Sequence, residues 1–130
     1  MKLNKIMLIE DDSTMVTLLK TFLEFEGFEI SPLDTYASIT DILECIRQEK
    51  PDIILLDVHL HNFSVFDLLK AIRDDLELKD LLILMSSGMD FQTRCSQEGA
   101  DSFILKPYMP DQLTDAIKKM IHTKESNRRN

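Results

Sequence analysis

Ile53-Ile54-Leu55-Leu56-Asp57 is a run of four branched apolar residues that meets a carboxylate and passes into Val58-His59-Leu60-His61-Asn62. Unbroken apolar character without polar alternation describes a strand covered on both faces, as in the middle of a parallel sheet. Open α/β sheets bind ligands at the carboxyl ends of their strands, and Asp57 stands at such an end. An aspartate that merely opens a loop reads the same in isolation. The rest of the chain separates the two readings.

Upstream, Lys5-Ile6-Met7-Leu8-Ile9 is a second apolar run, and it ends in Glu10-Asp11-Asp12. Ser13 is placed to cap a helix whose apolar positions, Met15, Leu18, Leu19, Phe22, Leu23 and Phe25, keep a helical period until Gly27. Phe28-Glu29-Ile30 reads as a short strand ended by Ser31-Pro32. Ser38 opens a helix with Ile39, Ile42, Leu43 and Ile46 on one face, and Pro51 punctuates before the central strand. Downstream, Ser64 opens a third helix carrying Phe66, Leu69, Ile72 and Arg73. Leu81 to Met85 is another apolar run and ends at Ser86-Ser87-Gly88. Met89 to Glu98 is a weak helix, with only Phe91 and Cys95 clearly apolar, and Gly99 closes it. Asp101 to Leu105 is a last strand ending at Lys106-Pro107. Pro110 starts a helix with the stripe Leu113, Ala116, Ile117, Met120 and Ile121. Thr123 to Asn130 reads as a frayed polar tail or the start of a linker, leaving residues 4–122 as the domain.

Five strands alternating with five helices describe an α/β protein whose parallel sheet is wrapped on both faces. Right-handed crossovers favour the flavodoxin-like doubly wound order 2-1-3-4-5. That order makes strands 1 and 3 neighbours, so Glu10, Asp11 and Asp57 converge at the switch point.

A chain of 130 residues with 44% hydrophobic and 29% charged content suits one soluble domain. Fifteen Lys and Arg against 23 Asp and Glu leave a net charge of −8, which argues against nucleic-acid binding by this domain. Cys45 and Cys95 have no metal or redox spacing, and Cys45 falls in a core pattern. The N-terminal apolar run is too short for a signal peptide or a membrane span, so the cytoplasm is the expected location.

Three carboxylates in one crevice repel one another. Two unit charges about 5 Å apart at an effective dielectric near 20 cost roughly 3 kcal/mol. Either one acid holds a proton or a cation resides there. Oxygen ligands from one or two carboxylates, completed by water, describe Mg²⁺ better than a calcium cage. The same strand ends bring up Ser86, a hydroxyl, and Lys106, a point charge suited to phosphate. Acids, metal, hydroxyl and lysine around one aspartate suit phosphoryl transfer onto a carboxylate.

Leu8-Ile9-Glu10-Asp11-Asp12, Ile54-Leu55-Leu56-Asp57, Met85-Ser86-Ser87 and Ile104-Leu105-Lys106-Pro107-Tyr108 together closely resemble the motifs of bacterial response-regulator receiver domains. The resemblance implies that Asp57 accepts a phosphoryl group from a histidine kinase or histidine phosphotransfer protein. It implies Mg²⁺ bound by Glu10, Asp11, Asp57 and the backbone carbonyl of His59. Ser86, with Ser87 beside it, and Lys106 then grip the phosphoryl group, Lys106-Pro107 is a cis peptide, and Phe103 occupies an aromatic switch position. The face of the weak fourth helix, the last strand and the last helix carries the output to a downstream effector, or to an output domain in a longer chain. His59 and Gly88 flank the path of a hydrolysing water. Receivers usually carry Pro four residues beyond the aspartate and Gly eight beyond, where this chain has His61 and Val65.

Three alternatives stand against this reading. Asp57, His59 and His61 alternate onto one face like transition-metal ligands, but they lack supporting partners. A haloacid-dehalogenase-type phosphatase also uses a strand-end Asp with Mg²⁺, yet it needs a second Asp two residues on, where His59 stands. A degenerate receiver, binding partners without phosphorylation, is opposed by the complete Glu10, Asp11, Asp57, Ser86 and Lys106 set. The receiver reading is therefore of a signalling phosphoacceptor with weak self-phosphorylation and self-dephosphorylation, not of an enzyme.

Overall fold

The computed structural model describes residues 4–33, 38–61 and 63–129, the last three as backbone only; Asn62 and Asn130 lie outside the described residues. The strands are β1 (Lys5–Ile9), β2 (Glu29–Leu33), β3 (Ile53–Asp57), β4 (Leu82–Ser87) and β5 (Ser102–Leu105). They alternate with α1 (Ser13–Phe25), α2 (Ile39–Glu49), α3 (Val65–Asp74), α4 (Gln92–Glu98) and α5 (Pro110–Arg129). All pairings are parallel, in the order β2-β1-β3-β4-β5. This is the doubly wound topology expected from the alternation.

Every residue of β3 and β4 is buried, as continuous apolar runs in a central parallel strand require. Strand pleating divides the core in two. Met7, Ile9, Ile54, Leu56, Ile83 and Met85 face a layer built by α2 and α3 with Cys95 of α4. Ile6, Leu8, Ile53, Leu55, Leu82 and Leu84 face Leu19 and Leu23 of α1 and Leu113, Ile117 and Met120 of α5. Side chains two residues apart share a face. Continued past the strand ends, the second set leads to Glu10, Asp57, Ser86 and, after Ile104, Lys106.

Several local expectations are corrected. Asp12, not Ser13, caps α1, its Oδ1 accepting from the amides of Thr14 and Met15. Asp12 has the extended backbone of a capping residue, φ −81° and ψ 108°, and the full charge that a helix N-terminus favours, whereas Ser13 is already inside the helix. β2 does not stop at Ser31-Pro32 but runs through both to Leu33. It is an edge strand, where a missing proline N–H costs no ladder bond. The tail beyond Thr123 is helical to Arg129. The apolar stripe ends there, but residues 111–129 contain no Gly or Pro, and Lys124 Nζ ties the extension to the Asp80 carbonyl at 3.2 Å. Cys45 is only half-buried against the core, whereas Cys95 is fully buried.

Arg73 does not join a solvated helix face. Its Nε donates to the Gly99 carbonyl at 2.8 Å, Nη1 to the carbonyls of Lys79 (2.9 Å) and Leu81 (2.6 Å), and Nη2 to Asp101 Oδ2 at 2.8 Å. One guanidinium therefore joins α3, the turn before β4, the end of α4 and the start of β5.

Candidate functional site

Register sets the site. Ile9 pairs with Leu56, Asp57 with Ser86, and Ser86 with Ile104, so the chain leaves β1, β3, β4 and β5 at one level. Pleating then turns Glu10, Asp57, Ser86 and Lys106 to the α1/α5 side. There they line a small pocket with Leu8, Leu19, Leu55 and Tyr108.

Lys106 Nζ lies 3.2 Å from Glu10 Oε1 and 3.5 Å from Asp57 Oδ2. The backbone N–H of His59 donates to Asp57 Oδ1 at 3.1 Å. Burial drives the Glu10 carboxyl up to about 7, helped by the adjacent Asp57 carboxylate, while Lys106 opposes the rise. At Asp57 burial also works upward. The adjacent Glu10 carboxyl, the His59 N–H and Lys106 outweigh it and hold this carboxyl below its ordinary value. The two carboxyls are thus driven apart: Asp57 is held toward the charged form, and Glu10 is the acid that takes up a proton first as pH falls.

Two buried polar atoms in this pocket have no hydrogen-bond partner, Glu10 Oε2 and the Tyr108 hydroxyl. Burial, then the charges of Glu10 and Asp57, push the Tyr108 phenol up to about 12. An orphaned carboxylate oxygen beside a second carboxylate is a place for a proton or a hard cation, and the donors are all oxygen. Glu10 and Asp57 therefore fit Mg²⁺, which commonly takes one or two carboxylates and completes its shell with water. Asp11 is otherwise engaged. Its Oδ2 accepts from the His61 backbone N–H at 2.6 Å and lies 2.6 Å from His61 Nδ1. Among the described residues no three His, Cys, Asp or Glu side chains are grouped to hold a metal as they stand.

The remaining expected residues lie elsewhere. Ser87, one residue out of phase with Ser86, faces the α2–α4 side, where its Oγ is 2.9 Å from His59 Nε2 and accepts from the Met89 amide at 3.0 Å. Phe103 packs, half-buried, against that same layer. The Lys106–Pro107 peptide is cis. His59 and His61 do not converge with Asp57 on a metal: one side chain goes to Ser87, the other to Asp11. Tyr108, the last residue of the Ile104-Leu105-Lys106-Pro107-Tyr108 motif, is a further member of the pocket, and its place two residues after Lys106 is the signal that puts it there.

Fold and site together define a flavodoxin-like α/β protein with a buried, lysine-paired aspartate at the switch point. The response regulator receiver domain model matches residues 6–118. The chain is 31% identical over 119 residues to the transcriptional regulatory protein YxdJ of Bacillus subtilis, covering 92% of this chain and 51% of that protein. It is 30% identical over 120 residues to the transcriptional regulatory protein CpxR of Escherichia coli, covering 92% and 50%. A solved CheY-like response regulator receiver domain protein from Methanospirillum hungatei superposes with a TM-score of 0.83 at 26% identity, covering 97% of this chain and 99% of that one. This chain belongs to the response regulator receiver domain family, the receiver modules of two-component signalling. It spans about half the length of the curated relatives it matches. Those relatives are regulators by name, and no helix among the described residues is long and apolar enough to cross a membrane.

Proposed function

We propose that Asp57 accepts a phosphoryl group from a phosphohistidine on a histidine kinase or histidine phosphotransfer protein, with residues 4–122 as the unit that does so. The observation carrying this is the buried knot of Glu10, Asp57 and Lys106, in which Lys106 Nζ lies 3.5 Å from Asp57 Oδ2 and the Asp57 carboxyl is held below its ordinary value. An ionised carboxylate is the nucleophile this transfer needs. The bond from phosphorus to the donor nitrogen breaks as a bond to an Asp57 oxygen forms. Glu10, Asp57, Asp11 and the backbone carbonyl of His59 would hold Mg²⁺, which would supply positive charge to neutralise the phosphoryl oxygens. Lys106 supplies a fixed positive charge at the carboxylate edge, and Ser86, paired with Asp57 in register, offers its hydroxyl.

Ser87 and Phe103 take part from the opposite face, as neighbours that must repack when Ser86 moves. An effector protein, or an output domain in a longer chain, reads the change, and the module works in the cytoplasm without contacting nucleic acid or membrane. Beyond transfer from phosphohistidine, its own chemistry is weak self-phosphorylation from small phosphodonors and weak self-dephosphorylation. Intact-mass measurement with a small phosphodonor tests this directly. One phosphoryl mass is expected on wild type with Mg²⁺, and none on Asp57→Asn or in EDTA; labelling of Asp57→Asn overturns the assignment.

A further inference from the structure

The two ends of α4 are held in different ways. Its C-terminal end is fixed. Gly99, at φ +111°, follows the helix, and its carbonyl accepts from Arg73 Nε at 2.8 Å. The guanidinium is braced in turn by Asp101, whose Oδ2 also accepts from the Ile83 amide at 2.8 Å. A Cβ on Gly99 would lie 3.2 Å from Arg73 Cγ, so the two pack tightly. At the N-terminal end Phe91, the capping residue, makes no side-chain hydrogen bond, Asp90 Oδ1 accepts only from the Gln92 amide at 3.1 Å, and Cys95 is the helix's one buried residue.

What holds the N-terminal end is a run of rings that begins at the phosphorylation site. His59, two residues after Asp57, meets Ser87 Oγ through Nε2 at 2.9 Å. Its ring stands edge-on to Phe91, with centroids 5.9 Å apart and planes at 63°. Phe91 stands edge-on to Phe66 of α3 at 6.5 Å and 64°. Arg94, in the first turn of α4, lies over Phe66 with Cζ 3.9 Å from the ring centroid. Ser87 Oγ also accepts from the Met89 amide, in the segment that leads into the helix.

We propose that Ser87, His59, Phe91, Phe66 and Arg94 form a handle by which the state of Asp57 swings the N-terminal end of α4 about the pivot at Arg73 and Gly99. The inference rests on phosphorylation at Asp57. The first link is gripped from both sides of the site, because His59 follows Asp57 in the chain and Ser87 follows Ser86. A movement of either strand end changes the distance between His59 and Ser87, and the next ring in contact is Phe91 at the foot of α4. Phe103 is not a member of this path. Phe91 and Arg94 are positioning residues, acting on the site through His59.

Amide hydrogen exchange of the intact chain, with and without beryllofluoride and Mg²⁺, tests the proposal, alongside intact-mass labelling of each variant. In wild type, exchange over Cys95–Glu98, the amides bonded within α4, should change about fivefold or more, the scale of one aromatic contact made or lost. Phe91→Leu keeps an apolar side chain without the ring, and should still be labelled while the α4 change falls below about twofold. Phe91→Tyr should restore it, and the imidazole resonances of His59 should move in the leucine variant only. Arg94→Gln, a surface change that leaves the core untouched, should weaken the response without abolishing it, and it serves if Phe91→Leu fails to fold. An α4 response in Phe91→Leu, or in Arg94→Gln, equal to that of wild type overturns the handle. Failure of wild type to take a phosphoryl group overturns the functional reading itself, and the two failures are told apart by the mass.

Discussion

Glu10→Gln isolates the proton that the acidic pair shares. In the folded protein the Glu10 carboxyl sits at about 7, against an ordinary value of 4.5, chiefly because it is buried beside Asp57. The folded value is the higher one, so the stabilisation is complete below about pH 4.5 and is lost as pH rises through about 7. A single group with these two values removes about 2 kcal/mol of folding stability between pH 5.5 and pH 8. The amide of the variant keeps the shape and a hydrogen-bond donor but has no proton to lose, so this part of the pH dependence should vanish. Urea denaturation of both proteins in EDTA at the two pH values reads the difference, because the groups outside the Glu10–Asp57–Lys106 knot titrate alike in both. Wild type should fall by about 2 kcal/mol relative to Glu10→Gln, and Mg²⁺ should shrink that gap by taking the proton's place. Parallel stability profiles in EDTA would refute the raised Glu10 carboxyl, and with it the account of how the pair favours charge on Asp57.

Two other perturbations have defined outcomes. Arg73→Ala leaves the carbonyls of Lys79, Leu81 and Gly99 without their donor and Asp101 without its cation, and should cost about 2–4 kcal/mol in denaturant titrations, with α4 losing exchange protection first. His61→Ala removes the imidazole 2.6 Å from Asp11 Oδ2 and should tighten Mg²⁺ binding severalfold, up to about tenfold, by calorimetry; unchanged affinity would show that the contact does not compete with the metal.

The five strands, their parallel order and the carboxylate at the end of β3 were legible in the sequence because an apolar run, a turn residue and a helical stripe are local patterns. Gly27, Ser38 and Ser64 marked helix ends for the same reason, as each acts on backbone groups within a few residues. Reading went wrong where a local signal had two outcomes and the fold chose between them. Ser31-Pro32 stays in a strand because β2 is at the sheet edge, and the polar end of α5 stays helical because nothing in it breaks a helix.

What only the tertiary structure decided is the pairing of individual atoms across the sheet. Sequence placed Glu10, Asp57, Ser86 and Lys106 at strand ends, but pleating and register put those four on one face and Ser87 and Phe103 on the other. It treated Glu10 and Asp11 as equivalent acids, whereas burial hands one a proton and the fold hands the other His61. Arg73 and the rings from His59 to Phe66 carried no local signal at all, since their partners lie in other elements of the chain. Patterns of hydrophobicity are written along the chain, while electrostatic and aromatic contacts depend on distances of a few ångströms that exist only once it has folded.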